Sequence, residues 1–187
     1  SATKPTDSFV ESCNAKRIQF IAYNRSWDIP TLSSVACDHQ NGGQMVAEYF
    51  VKNNHQSIGL IEGPKGSFVS DERSRGFKQY LKSLKKIKLI TEKGFFTYEG
   101  GYQAAEKILK NKKISAIFCA DDTMAFGSLD YIKKNTNLKI PKQVELIGYD
   151  DISMSNWKSY DLTTVRQPIR QMSKLVTQLI DEFIQDP

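Results

Sequence analysis

Residues 114–169 read ISAIFCADDTMAFGSLDYIKKNTNLKIPKQVELIGYDDISMSNWKSYDLTTVRQPI. They hold two short apolar strands, Ala116–Cys119 and Val144–Tyr149, and each runs directly into a pair of carboxylates. Asp121-Asp122 ends the first strand and starts a helix, and Asp150-Asp151 ends the second. In an open parallel sheet, ligands bind at the carboxyl ends of the strands, where loops meet helix N-termini. Acidic side chains repeated at that edge of one sheet point to a polar binding cleft.

On either side the same grammar continues. Further β-rich runs fall at Arg17–Tyr23, Ser57–Ile61 and Ile87–Thr91, with helical spacing near 3.6 between runs. Asn41–Lys52 carries Met45, Val46, Tyr49 and Phe50 on one face, and Gly101–Leu109 carries Tyr102, Ala105, Ile108 and Leu109. The last helix is the clearest, with Ile169, Met172, Leu175, Val176, Leu179, Ile180 and Phe183 in register after Pro168. Alternating strands and helices imply βαβ units and a mainly parallel sheet.

A chain of 187 residues with 40% hydrophobic content can bury a proper core. No apolar run approaches the roughly 18–20 residues of a membrane span. The first residues lack the basic-then-apolar layout of a secretory signal. Cys13, Cys37 and Cys119 are an odd number, which suits buried free thiols in a reducing compartment and so the cytoplasm. The net charge of +5 concentrates in Lys82–Lys93, where KSLKKIK reads as a solvated helix face and end. With no helix-turn-helix attached, this stretch gives no reason to expect DNA binding by the chain itself.

Several motifs closely resemble those of the effector-binding core of LacI/GalR-type bacterial transcriptional repressors. They are A-D-D-T-M-A-F-G at Ala120–Gly127, I-P-K-Q-V at Ile140–Val144, G-Y-D-D at Gly148–Asp151 and L-T-T-V-R-Q-P at Leu162–Pro168. Asn24-Arg25, Asn41-Gly42-Gly43, Asn54-His55, Glu72-Arg73-x-x-Gly76-Phe77 and Gly100-Gly101-Tyr102 continue the series upstream. The resemblance implies an α/β, periplasmic-binding-protein-like fold: two Rossmann-like lobes with parallel sheets, the N-terminal lobe incomplete. On that map residues 1–37 are the remainder of the N-terminal lobe, 38–165 the C-terminal lobe, and 166–187 a helix returning to the first lobe. The DNA-reading headpiece, the first elements of the N-terminal lobe and the last strand of the C-terminal lobe are expected to be missing.

The expected effector-binding residues are Asp150, Arg73, Asp121, Phe96, Asn24 and Val69. Asp150 follows a buried strand at the cleft edge, where a carboxylate can accept two hydrogen bonds from neighbouring hydroxyls. Asp151 suits a backbone-capping role. Arg73 can offer its planar fork to vicinal hydroxyls, and the resemblance places it at an effector-contacting position; Arg75 fits a solvated helix face. Asp121 stands where the family usually has asparagine. It either meets the ligand as a pure acceptor or caps a helix together with Asp122. Phe96 matches an aromatic that stacks on the effector, though a strand-end aromatic is often core. Asn24 corresponds to a polar contact from the other lobe, and Val69 with Phe68 to pocket wall.

Other chemistry is not assembled. Gly63–Ser67 lacks phosphate-loop spacing, His39 and His55 have no partner at metal-ligand spacing, and no serine sits in a G-x-S-x-G elbow. No metal or other cofactor is expected. The leading reading is a non-enzymatic sensor of a sugar-like effector, paired as a homodimer, touching operator DNA only through the missing headpiece. Phe126, expected to face away from the sheet, and Trp157 are the expected dimer contacts. A sugar-binding protein of a transport system is the alternative. A magnesium enzyme using Asp121, Asp122, Asp150 and Asp151 is the third reading.

Overall fold

The computed structural model describes residues 4–84, 86–110 and 113–185. Lys85, within the expected basic helix end, therefore lies outside the described residues. Two compact units emerge, one of Ser1–Asp38 with Pro168–Pro187, the other of His39–Gln167.

The larger unit opens with α2 (His39–Lys52), if the smaller unit's α1 (Asp7–Ala15), β1 (Ile21–Tyr23) and β2 (Ser33–Val35) are numbered first. It continues as β3 (Ser57–Glu62), α3 (Phe68–Lys82), β4 (Lys88–Lys93), α4 (Tyr98–Leu109), β5 (Ala116–Cys119), α5 (Asp122–Asn135), β6 (Glu145–Asp150), a 3₁₀ turn (Ser153–Asn156) and β7 (Thr163–Arg166). The sheet runs β4-β3-β5-β6-β7 and every pairing is parallel. Alternate residues of its central strands feed two cores. Ile58, Leu60, Ala116, Phe118, Ile147 and Tyr149 pack under α2 and α3, and Ile61, Ile117, Cys119 and Leu146 under α4 and α5. This two-residue period is why the strands read as nearly continuous apolar runs: both faces are covered.

The helix pairs approach backbone to backbone through glycine. A Cβ on Gly43 would overlap the Arg73 carbonyl, and one on Gly76 the Gln40 carbonyl, closing α2 on α3. Gly101 and Gly127 do the same for α5 and α4, against Met124 and Tyr98. On the first face this close approach carries Arg73 inward beneath the N-terminus of α2.

The smaller unit holds α1, the parallel pair β1-β2, and α6 (Ile169–Gln185). Of the expected α6 stripe only Met172 is buried; Ile169, Leu175 and Ile180 are exposed.

Three expectations need correction. The run Arg17–Tyr23 is strand only over Ile21–Tyr23: the turn closing α1 takes Arg17 and Ile18, and β2 pairs with only three residues. β2 and β7 were not anticipated: SSV and TTVR hold one apolar residue each and so make no apolar run, unlike the equally short AIFC of β5. β7 forms one edge of the five-stranded sheet, paired in parallel with β6. Phe126 does not face away from the core. It is 2% exposed and its ring lies 4.4 Å from that of Tyr160. The segment after β6 folds back over α5 and supplies that cover, so a helix face outside the sheet-facing stripe is nonetheless interior.

Candidate functional site

Arg73, Asp150, Asp121 and Phe96 all lie at the carboxyl edge of the five-stranded sheet: Arg73 in α3 after β3, Asp150 as the last residue of β6, Asp121 between β5 and α5, and Phe96 in the turn after β4. The centre is an ion pair formed across 77 positions of sequence: Arg73 Nη2 donates to Asp150 Oδ1 at 2.8 Å. Arg73 is 2% exposed. A guanidinium so buried needs its charge and donors matched. Nη1 donates to the Ala120 carbonyl at 2.6 Å, Nε donates to His39 Nδ1 at 3.2 Å, and the guanidinium carbon sits 3.8 Å from the centre of the Tyr149 ring. Gly42 makes room for that ring, since a Cβ there would overlap the tyrosine hydroxyl.

Asp150 is the more open partner, with 26% of its side chain exposed. Its Oδ1 also accepts from Gln167 Nε2 at 2.6 Å, whereas Oδ2 accepts no hydrogen bond among the described residues. Burial raises its pKa, opposed by the facing Arg73 and by the Gln167 hydrogen bond. The backbone of Asp150 has φ of 124°, a conformation that L residues rarely adopt and that costs on the order of 1–3 kcal/mol. Strain of that size persists where the surroundings over-determine the geometry, as the paired Oδ1 does here.

The four carboxylates of the two Asp-Asp pairs do not converge. Asp121 caps α5, its Oδ1 accepting from Met124 N at 2.8 Å. It is buried, and burial first, then the negative charge of Asp150, pushes it up to about 6. Asp122 is a structural hub: Oδ1 accepts from Thr164 Oγ1 at 2.5 Å, and Oδ2 from Ile152 N at 2.9 Å and Ser155 Oγ at 2.8 Å. It thereby pins the turn after β6 to the start of α5. Asp151 turns to Arg166 and Asn156, while its N–H donates to Thr164 Oγ1. Among the described residues no group of three or more His, Cys, Asp or Glu side chains is placed to hold a metal ion.

Phe96 is half-buried. It and Phe95 have φ of 59° and 58°, a tight turn that lays Phe96 over Gly63 and against the core while Phe95 is exposed. Val69 and Phe68 belong to the first turn of α3, and both are half-buried. Asn24 belongs to the smaller unit, where φ is 59°, its N–H donates to the Val35 carbonyl and Cys37 Sγ lies 4.0 Å from its Oδ1. His39, Tyr149 and Gln167 were not singled out by the sequence. Tyr149 and Gln167 sit inside quoted motifs, so a signal existed; His39 carried none beyond its place before Asn41-Gly42-Gly43. Arg75 pairs with Glu72 on the surface, as expected of a solvated position.

Comparison with known proteins agrees with this architecture. A family profile described as "Periplasmic binding protein domain" matches residues 2–186. The probable HTH-type transcriptional repressor ExuR of Bacillus subtilis is 32% identical over 187 residues, which is 97% of this chain and 55% of that protein. The ribose operon repressor of Haemophilus influenzae is 32% identical over 151 residues, covering 78% of this chain and 45% of that protein. The chain thus spans about half the length of these relatives. A LacI family regulator from Enterococcus faecium, solved with bound ribose, superposes with a TM-score of 0.88 at 27% identity, over all of this chain and 70% of that one. A sugar-binding LacI family regulator from Escherichia coli, complexed with phosphate, gives 0.78 at 26% identity, over 89% and 60%.

Proposed function

The chain belongs to the periplasmic binding protein domain family, of the LacI/GalR repressor type, and on that ground we propose that it is the effector-sensing part of a DNA-binding transcriptional repressor. The relatives compared are repressors, which favours this reading over a transport protein. A repressor reading operator DNA works beside the chromosome, so the reading requires the cytoplasm. No helix of the described residues is long and apolar enough to cross a membrane.

One observation carries the choice of ligand. Asp150 is anchored through Oδ1 by Arg73 and Gln167, with Oδ2 unengaged at the sheet edge. The only guanidinium of the cluster is already matched by that carboxylate, and Asp121 adds a further acid nearby. Such a cluster suits hydroxyl donors and disfavours an anion, so the effector class is a neutral sugar. Phe96 offers a flat apolar face for its C–H surface. The relatives solved with ribose support the class rather than the particular sugar.

Melting curves across a panel including ribose, cellobiose and inorganic phosphate provide the test. A neutral sugar should raise the melting temperature and phosphate should not. Asp150→Asn keeps an acceptor for Arg73 but weakens charge-assisted bonds to the sugar, so affinity should fall on the order of ten-fold or more. A sugar bound equally well by wild type and Asp150→Asn would overturn the site.

A further inference from the structure

His39 is the first residue of the larger unit and Gln167 is its last, so the chain passes between the units at 38–39 and at 167–168. These same two residues hold the two ends of the ion pair. Arg73 Nε donates to His39 Nδ1 at 3.2 Å, Arg73 Nη2 to Asp150 Oδ1 at 2.8 Å, and Gln167 Nε2 to the same Oδ1 at 2.6 Å. One continuous hydrogen-bonded chain, His39–Arg73–Asp150–Gln167, therefore joins one chain crossing to the other through the candidate ligand group.

The links are tightly held. His39 is buried, its ring 6.0 Å from those of Phe68 and Tyr149, and Gln167 is buried beside Asp150. Because Nδ1 of His39 accepts, a small displacement of the guanidinium must stretch that bond or move the first turn of α2. Because Oδ1 of Asp150 takes both Arg73 and Gln167, any charge that a ligand draws toward Oδ2 weakens both bonds at once. Asp150 is the one member exposed enough to meet a ligand.

We propose that His39 and Gln167 are positioning residues that transmit ligand occupancy at Asp150 to the backbone at both chain crossings. The proposal rests on the effector reading of Asp150. It adds to it a specific route, two crossings moved by one carboxylate, and a reciprocity: disturbing either crossing residue must be felt at the other.

Amide hydrogen exchange of the full chain tests this, read in peptides spanning 36–41 and 165–170 with β3 and β5 as controls. Asp150→Asn should speed exchange at both crossings by roughly five-fold or more while the controls stay protected. His39→Leu should speed exchange at 165–170, although that segment is remote in sequence. His39→Asn, whose Oδ1 can stand in for Nδ1, should restore it. Gln167→Met should act in reverse on 36–41, which keeps the test decisive if His39→Leu does not fold. Variants that change only their own crossing would leave local bracing of a buried charge as the sole role, and the proposal would be overturned. Added ribose should protect both crossings together in wild type, and only one in Gln167→Met. If ribose does not bind, the choice of that sugar fails, while the ligand-free exchange data still decide the coupling.

Discussion

Asp121 carries a burden that asparagine in its place would not. Its carboxyl is pushed up to about 6, chiefly by burial and then by Asp150, against the helix-capping bond from Met124 N. An acid whose value in the folded chain exceeds its ordinary one holds a proton longer folded than unfolded. Its stabilising contribution is therefore complete in acid and lost as the pH rises from about 4 through about 6. From 3.8 to about 6, at 1.36 kcal/mol for each tenfold step, the loss is about 3 kcal/mol. Asp150, also raised by burial, acts in the same direction. Glu62 acts oppositely: burial alone would raise it, but Lys78 and Lys93 hold it low, so its contribution is lost as the pH falls. Asp121→Asn keeps a good capping oxygen and removes the titration. We expect it to melt higher than wild type above pH 6, with the difference vanishing near pH 4. Melting curves that differ by a constant amount across this range would show that Asp121 ionises as an ordinary exposed acid.

The helices and strands around the site were legible because their signals are local. Ala116–Cys119 was read to the residue, and the alternation of strands with helices announced the parallel sheet. The meeting of Arg73 with Asp150 followed from both lying after strands at one sheet edge. Tertiary cover was not legible. Nothing in residues 122–135 says that the turn after β6 will be tied down by Asp122, or that Lys133 will hold the Ser159 carbonyl at 2.6 Å. Those bonds lay Tyr160 on Phe126 and turn an expected surface ring into core. His39 escaped for the same reason, since its partner is 34 positions away. The consequence can be tested on two rings. Phe126→Ala should cost about 3–5 kcal/mol of stability, as for other buried aromatics, and Phe126→Glu should not fold. Trp157 is 54% exposed, so Trp157→Glu should shift stability by less than about 0.5 kcal/mol. If Trp157 lies in the homodimer contact expected from the sequence, that same variant sediments as a monomer where wild type sediments as a dimer. A folded Phe126→Glu protein would contradict the observed packing, and an unchanged sedimentation of Trp157→Glu would remove Trp157 from the contact.

The two units differ sharply in how much they bury. The larger has two cores, one on each face of a five-stranded sheet, and helices clamped by close glycine contacts. The smaller has a two-stranded sheet of three-residue strands, a few buried side chains such as Cys13, Ala22, Leu32, Val35 and Met172, and a strongly amphipathic α6 whose Leu175 and Ile180 are about half exposed. Two short strands with so little cover are marginal by themselves. Stability should therefore be distributed unevenly, with the smaller unit opening at far lower free energy than the larger. Residues 39–167 prepared alone should fold, keep the Arg73–Asp150 pair and unfold in one cooperative step. In the full chain, amides of α1, β1, β2 and the outer turns of α6 should exchange well before those of β3, β5 and β6. Ile180→Lys, on the uncovered stripe, should change the melting of the larger unit by less than about 0.5 kcal/mol, whereas Ile117→Ala, between β5 and the second core, should cost about 2–5 kcal/mol. Equal protection across both units, or a failure of 39–167 to fold, would mean that the smaller unit contributes directly to the stability of the larger, and that the two unfold as one.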